Sequence, residues 1–474
     1  MNESLPRGEP GRATPPIGAW ALIAIVVPAA GVLATQMSAV DLAYQIRAGE
    51  MMLDAHQILR TDPFTFTTGG HSWVDQQWGA QLALAGAFRL GGWPGLLVLR
   101  AGLIAMTLLL LYLSTRRAGA DPKPAAWLTL GAFLTAAFTP GSLSLRPQLL
   151  ATLFFGALIL VLANRQDRPR VLASLPFITL LWANVHGSFM IAPLATGLAA
   201  LDDRVRGRPW RNTAVVAVVA LALTLANPFG LDAYGYAIRV ASNAQISLGI
   251  DEWLPATIHT PGGIAFFCSI VVVGLLLRRA ERRLPWTTLL TLGAFAAIVL
   301  WSRRNVVWWA LFAPFVLAGE LPRRRSPTEE PAPAAIVFLI GAVAVALLPW
   351  WRPHSPTDLL AEAPTGITRA LEGVLEPGDR IFNGGPWGSW FEFRFPDNPV
   401  FVDARVELFP ESVWDDFFDV SAGREGWQQI LDRWKIEFVV ADPNRQAGLI
   451  PLIARDSGWR MVYRDADGWI LART

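Results

Sequence analysis

Residues 262–301 read GGIAFFCSIVVVGLLLRRAERRLPWTTLLTLGAFAAIVLW, and this stretch carries the pattern that decides the fold. Two apolar runs, each close to the roughly 20 residues that cross a bilayer as a helix, flank a short basic loop with Arg278, Arg279, Arg282 and Arg283. Lys and Arg beside transmembrane helices stay on the cytoplasmic side. The stretch therefore predicts two membrane-spanning helices joined by a cytoplasmic turn.

The same pattern recurs along the whole chain. Apolar runs predict eleven spans, at residues 17–37, 95–113, 124–140, 148–164, 171–185, 187–203, 213–227, 262–277, 286–301, 305–320 and 333–350. Every second loop is basic, because arginines also crowd residues 116–123, 165–170, 204–211 and 323–325. The N-terminus is then inside and the C-terminus outside. The same topology requires helix breaks on the outer side, at residues 140–147 and 184–187.

Composition excludes several classes of protein. Of the 474 residues 53% are hydrophobic and only 16% are charged, with a mean hydropathy of +0.37, whereas soluble domains are about a quarter charged. The 21 tryptophans fit the aromatic belts of a membrane protein. Cys268 is the single cysteine, so the sequence has no disulfide framework. It also lacks a basic, aromatic recognition motif, so nucleic acid is not a predicted partner.

The chain divides into three regions. Residues 1–16 form a cytoplasmic tail, residues 17–350 a helical membrane domain with a long outer loop at 38–94, and residues 351–474 a mixed α/β domain outside the membrane. In the outer loop, helices are predicted at 41–53 and 80–90, and Thr61-Asp62-Pro63 predicts a turn started by the aspartate. In the last region, strands are predicted at 380–383, 399–403, 437–441, 461–464 and 469–472, and helices at 365–375, 412–420, 426–434 and 445–456.

The acidic candidates lie on the outer side. Asp41 follows the first span and fits a solvated helix cap, a general base that activates an acceptor hydroxyl, or a metal-binding carboxylate. Asp62, Asp75 and Trp78 lie in the same loop and could complete a site, although Asp62 before a proline also fits a turn. Glu252 is a further candidate that equally fits loop solvation. Whether a divalent metal binds stays open.

Basic and imidazole groups on that side suggest an anion site. Arg303 and Arg304 run against the usual charge bias, so they are either snorkelling anchors or a clamp for phosphate, which guanidinium groups match in bidentate geometry. Arg146 invites the same comparison. His186, at a predicted break, could be a ligand, an acid–base group or the partner in an interhelical hydrogen bond. In the outer domain, the charges of residues 403–407 indicate an ion-pair network.

Three segments of the first outer loop resemble GT-C glycosyltransferases, a superfamily that includes the protein mannosyltransferases and the lipid A aminoarabinose transferases. They read Asp41-Leu-Ala-Tyr-Gln-Ile-Arg-Ala-Gly-Glu50, Arg60-Thr-Asp-Pro-Phe-Thr-Phe66 and Trp73-Val-Asp-Gln-Gln-Trp78. The resemblance implies a bacterial inner-membrane enzyme that takes a sugar, with inversion, from a polyprenyl-phosphate carrier. It also implies that Asp41 is the catalytic base and that Arg303 or Arg304 holds the carrier phosphate. Gln45, Gln76 and Gln77 stand where such enzymes often have His or Glu.

The predicted function is therefore transfer of a sugar from a polyprenyl-phosphate donor to a glycan, lipid or protein acceptor at the outer face of the bilayer. The outer domain would bind the acceptor or close over the site. Two alternatives remain: a transporter or flippase of lipid-linked precursors, which would need a polar path through spans with few charges beyond Arg100, and a non-catalytic assembly partner.

Overall fold

A computed structural model describes residues 18–242, 251–280, 283–322, 334–349 and 359–474. The predicted tail 1–16, the arginines at 323–325 and Arg282 lie outside these residues. Helices dominate the chain up to Ala346, and a small sheet with surrounding helices makes up the part from Leu359 onward. The helical fold with a small C-terminal sheet is the class that the sequence predicts.

Helices occupy each of the eleven positions at which a span is predicted. Their bounds, with the outer-loop helices α2 and α9, are α1 Ala19–Leu33, α2 Ala39–Ala55, α3 Trp78–Ala118, α4 Pro122–Ala137, α5 Pro147–Asn164, α6 Leu175–Ala183, α7 Ile191–Val205, α8 Arg211–Leu223, α9 Asp232–Ser242, α10 Pro261–Leu277, α11 Trp286–Trp301, α12 Val306–Glu320 and α13 Ala334–Ala346. Within the described residues, α3 and α5 are long and apolar enough to cross a membrane unaided. The count of eleven spans stays a prediction.

The predicted interruptions are present. α4 ends at Ala137 and α5 begins at Pro147, while α6 ends at Ala183 and a 3-10 turn, Gly187–Met190, precedes α7. α3 joins the predicted helix 80–90 to the following span through Gly92, whose φ of 57° and ψ of −155° turn the axis. Glycine reaches this conformation without a steric penalty. The predicted helix 80–90 and the following predicted span are therefore joined by a kink at Gly92.

Arginines of two predicted cytoplasmic loops form ion pairs at the ends of the helices remote from these interruptions. Arg165 Nε and Nη2 each donate to the buried Asp203 carboxylate at 2.8 Å. Arg206 bridges Asp202 and Glu320. These contacts connect α5, α7 and α12, so the basic residues that predict topology also hold the helices together.

The C-terminal part is a mixed four-stranded sheet in the order β3-β4-β6-β5, with β3 and β4 parallel and the other pairs antiparallel. Its elements are α14 Thr365–Glu372, β3 Ile381–Asn383, α15 Gly388–Arg394, α16 Glu411–Ala422, α17 Trp427–Arg433, β4 Phe438–Ala441, α18 Ile450–Ile453, β5 Trp459–Arg464 and β6 Trp469–Arg473. Four of the five predicted strands are confirmed.

Two predictions here are wrong, and one helix was not predicted. Residues 399–403 are not a regular strand, because Val400 makes only isolated bridges, to Thr65 and to Ile381. The helix predicted at 445–456 shrinks to α18, because Gly448 packs directly against the backbone of Ala422 and the chain turns there. α15 was not predicted, because residues 388–392 are all buried and show no polar face.

Two short strands bring the sheet domain to the start of the first outer loop. β1, Met37–Ser38, pairs in parallel with β2, Leu360–Ala361. The Ser38 hydroxyl donates to Glu362 Oε2 at 2.6 Å, and α15 packs on α2. The C-terminal domain therefore lies directly over the helix that carries Asp41.

Candidate active site

A cavity of about 1200 Å³ lies between the first outer loop, the two helix interruptions and the C-terminal domain. Its size suits a ligand larger than a single sugar ring, since ordinary small-molecule sites span about 300–1,000 Å³. Six of the residues that the sequence singles out line it: Asp41, Arg146, His186, Glu252, Arg303 and Arg304. Their shared topological side predicted this grouping.

Asp41 sits in the first turn of α2, and 37% of its side chain is exposed. Its Oδ2 accepts from Arg146 Nη1 at 3.0 Å. Burial of the surrounding site raises the pKa of Asp41 above its ordinary value, and the Arg146 guanidinium only partly opposes this. A reachable carboxylate with a raised pKa is better suited to accept a proton from a hydroxyl than an ordinary solvated one.

Arg146 joins two carboxylates. Its Nη2 donates to Glu252 Oε1 at 2.7 Å, and its Nε donates to the carbonyl of Gly141 at 3.2 Å. Gly141 has a φ of +77°, and a Cβ there would lie 1.7 Å from Arg146 Nη2. The glycine therefore leaves room for the guanidinium that fixes Asp41 and Glu252 in place.

Arg304 supplies a second guanidinium to the cavity. A 3-10 turn, Arg303–Asn305, carries it between α11 and α12, and its guanidinium carbon lies 4.3 Å from the ring centroid of Trp253. Within the described part of the chain, no carboxylate forms a salt bridge with Arg304. Burial and the like charge of Arg146 lower the pKa of Arg304. An anion in the cavity would relieve both effects.

His186 lies at the second interruption with its ring turned toward the local backbone. Its Nδ1 accepts from the backbone N–H of Ser188 at 3.1 Å and therefore caps the following turn. Burial, with the charges of Arg304 and Arg146, lowers its pKa to about 3. His186 is thus a neutral residue of the cavity wall near neutral pH.

Three predicted site residues do not line the cavity. Asp62 Oδ1 accepts from the backbone N–H of Phe64 at 3.1 Å, which confirms the predicted turn, and from Arg405 Nη2 at 2.7 Å. Trp78 Nε1 donates to Asn184 Oδ1 at 3.0 Å. Asp75 is fully enclosed and accepts from Gln81 Nε2 at 2.9 Å. All three hold the loop in place around the cavity.

Asp75→Asn is expected to stabilise the protein in a pH-dependent manner. Burial raises the pKa of Asp75 to about 7, so the folded state holds the proton more tightly than the unfolded state. The resulting penalty grows as the pH rises from about 4 to about 7 and is complete above that. At pH 8 the variant should be more stable than the wild type by up to about 4 kcal/mol, since each unit of pKa shift corresponds to about 1.4 kcal/mol. Thermal unfolding in detergent should show this as a higher Tm at pH 8 and little change at pH 4. Asp54→Asn, at an exposed position, is the control, and an equal shift at both pH values would contradict the expectation.

The sequence predicts that the C-terminal domain binds the acceptor or closes over the site, but it does not specify which residues of that domain line the cavity. Glu362, Glu407 and Arg445 line it, as do the aromatic rings of Trp414 and Phe418. Tyr236 of α9 donates to Glu407, and burial raises the pKa of that carboxyl. The charges at 403–407 signalled an ion-pair network, which is present around Arg405. No local signal pointed to Glu362.

The described residues contain no group of three or more His, Cys, Asp or Glu side chains arranged to hold a metal ion.

The fold is similar to those of solved GT-C glycosyltransferases, as the first-loop resemblance implies. The chain is similar to the apo oligosaccharyltransferase of Archaeoglobus fulgidus, with a TM-score of 0.55 and 13% identity over 96% of this chain and 74% of that one. It is also similar to apo ArnT from Cupriavidus metallidurans, with a TM-score of 0.54 and 15% identity over 96% of this chain and 97% of that one. For ArnT bound to undecaprenyl phosphate, the TM-score is 0.51 and the sequence identity is 14%, over 96% of this chain and 97% of that one. No protein-family model and no curated protein matches the sequence, so the likeness is one of fold.

Proposed function

We propose that the protein is an integral membrane glycosyltransferase that moves a sugar from a polyprenyl-phosphate donor to a hydroxyl acceptor at the outer face of the bilayer. The observation that carries the proposal is the placement of the Asp41 carboxylate and the Arg304 guanidinium on one cavity. The fold supports it, because one structure of similar fold, ArnT, contains undecaprenyl phosphate.

The reaction would be a single displacement. Asp41 accepts the proton of the acceptor hydroxyl, while the oxygen of that hydroxyl bonds to the anomeric carbon of the sugar. The bond from that carbon to the phosphate oxygen breaks on the opposite face, so the configuration inverts. Arg304 then stabilises the negative charge of the leaving polyprenyl phosphate. Arg146 orients Asp41 throughout, because it is fixed on its other side by Glu252.

We also propose the predicted topology of eleven spans, with the N-terminus in the cytoplasm of a bacterial-type inner membrane. In this topology the cavity and the C-terminal domain would lie on the outer side. The ion pairs of Arg165 and Arg206 then lie at the cytoplasmic ends of their helices, as the excess of positive charge in those loops requires.

A transporter or flippase is the rival from another class, and Arg100 bears on it. This arginine of α3 donates through Nε to the carbonyl of Leu143 at 2.7 Å, and through Nη1 to Thr35 and to the carbonyl of Gln36. These partners satisfy the charge within the protein. Arg100 therefore fits a structural link between the end of α1 and the first helix interruption better than a residue that lines a polar transport path.

Arg304→Gln is expected to raise the KM for the donor by about 10–100-fold, since a hydrogen bond to a charged group contributes about 1.5–3 kcal/mol. The measurement is release of undecaprenyl phosphate from labelled undecaprenyl-phosphate sugars by the purified protein in proteoliposomes. Arg279→Gln, an exposed arginine just beyond the far end of α10, is the matched control and should keep the wild-type KM.

The same proteoliposomes separate the rivals. Transbilayer movement of a labelled polyprenyl-phosphate sugar without release of its sugar would favour the flippase. Neither release nor movement across a panel of donor sugars would favour an assembly partner. Either result would overturn the proposed transfer.

A further inference from the structure

Glu362 has a backbone conformation that is unusual for its position. Its φ is +63°, in the left-handed region that non-glycine residues seldom adopt. Two other described non-glycine residues share this sign of φ, His56 and Lys435, and both directly follow helices or their last turn, where a left-handed residue is common. Glu362 instead follows the strand β2, so helix capping does not explain it.

The surroundings of Glu362 fix it beside the proposed base. The strand β2, which pairs with β1, ends immediately before Glu362. The Ser38 hydroxyl donates to Glu362 Oε2 at 2.6 Å. Ser38 is the N-cap residue of α2, and Asp41 lies in the first turn of that helix. Glu362 is exposed and lines the same cavity as Asp41. The strained backbone thus presents a carboxylate to the cavity.

Strain of this kind persists where the surrounding structure holds it, and it concentrates at functional sites. Here the observed outlier lies on the cavity itself. Among the described residues, the Ser38 hydroxyl is the hydrogen-bond donor to the Glu362 carboxylate. A carboxylate has about four lone-pair sites, so this one keeps capacity for a ligand donor.

The charges around Glu362 narrow the class of ligand. Asp41 and Glu252 are carboxylates of the same cavity, and Arg146 lies between them. A negatively charged group next to Glu362 would be repelled by it and by Asp41. A neutral hydroxyl can donate to the carboxylate without this cost. The chemistry therefore suits an acceptor with several hydroxyl groups.

We infer that Glu362 is an acceptor-binding residue, whose carboxylate accepts a hydrogen bond from a second hydroxyl of a neutral, polyhydroxylated acceptor while Asp41 takes the proton of the reacting hydroxyl. The inference rests on the proposed function and names the acceptor class for the same site. The left-handed backbone presents this carboxylate to the cavity that Asp41 also lines.

The test uses the full-length protein in proteoliposomes, with methyl glycosides and their deoxy analogues as acceptors. Glu362→Gln is expected to raise the acceptor KM by about 10-fold or more, with a smaller change in kcat, since a charge-assisted hydrogen bond is lost. With the wild type, one deoxy analogue should have an acceptor KM raised by the same factor. With Glu362→Gln, the same analogue should raise the acceptor KM no further. A merely structural role would not produce this selective lack of additivity.

Glu362→Gly and Lys435→Gly form a matched pair. Both replace a left-handed residue by glycine, which relieves the strain, so each should keep or raise the Tm. Only Glu362→Gly should raise the acceptor KM, because Lys435 does not line the cavity.

The outcomes separate the two levels of inference. Wild-type transfer that does not depend on Asp41 would overturn the proposed function. Transfer that depends on Asp41, with wild-type acceptor KM in both Glu362 variants, would overturn the role of Glu362 alone.

Discussion

Asp41→Asn is expected to lower sugar transfer by about 10²–10⁴-fold, the usual contribution of a positioned general base. Asparagine has nearly the same shape as aspartate but cannot take the proton of the acceptor hydroxyl. Arg146 keeps its bond to Glu252 at 2.7 Å, so the cavity wall should persist. The fall should therefore appear in kcat rather than in the Tm.

The measurement is the rate of labelled product formation at saturating donor and acceptor in proteoliposomes. Asp54→Asn is the control, because Asp54 lies in the same helix with 68% of its side chain exposed. Transfer by Asp41→Asn at the rate of the control would remove Asp41 from the mechanism. The wild-type rate should also decline at low pH through a pKa above that of an ordinary aspartate, because burial raises the pKa of Asp41.

Arg405→Met is expected to destabilise the protein by about 3–5 kcal/mol, the cost of removing one partner from a buried ion pair. Arg405 is 1% exposed, and it pairs with the fully buried Asp62 and Asp403. Its guanidinium also lies 4.6 Å from the ring centroid of Trp73 and 5.0 Å from that of Phe64. The variant leaves two buried carboxylates without their cation.

Unfolding of the purified protein by heat or denaturant would measure this loss. Arg424→Met is the matched control, because Arg424 pairs with Asp419 at the surface, where such pairs contribute about 0–1 kcal/mol. The loss of stability in Arg405→Met should be smaller at low pH, where the unpaired carboxylates are protonated. Adding Asp62→Asn to this variant should restore part of the lost stability. Equal losses in Arg405→Met and Arg424→Met would show that the network adds no stability.

Sequence reasoning succeeded where the signal is local. The turn at Asp62 follows from an aspartate before proline, and the interruption before Gly187 follows from the topology of one long apolar run. Both are present. The ion-pair partner of Asp62 could not be predicted, because Arg405 lies 343 residues away in the sequence. Periodicity and turn chemistry carry no information about such distant pairs.

The sequence predicted one grouping for another reason, that of Asp41, Arg146 and Glu252. The predicted topology puts all three on one side of the bilayer, and the structure joins them by ion pairs between their opposite charges. Membership of the first outer loop was a weaker guide, since Asp75 and Trp78 belong to that loop but bond to Gln81 and Asn184 instead. Glu362 reaches the cavity only through strand pairing, which the sequence does not reveal.

The pairing of β1 with β2 also sets when the cavity can be completed during biosynthesis. Met37 and Ser38 are synthesised more than 300 residues before Leu360 and Ala361, their partners in the pair, and chains fold from the N-terminus as they emerge. The helix that carries Asp41 is therefore synthesised early and lacks the C-terminal wall of the cavity until the last quarter of the chain has been made. A nascent or truncated chain would hold Asp41 but lack the part of the cavity wall that Glu362 and Glu407 supply, so under the proposed function incomplete molecules should be inactive.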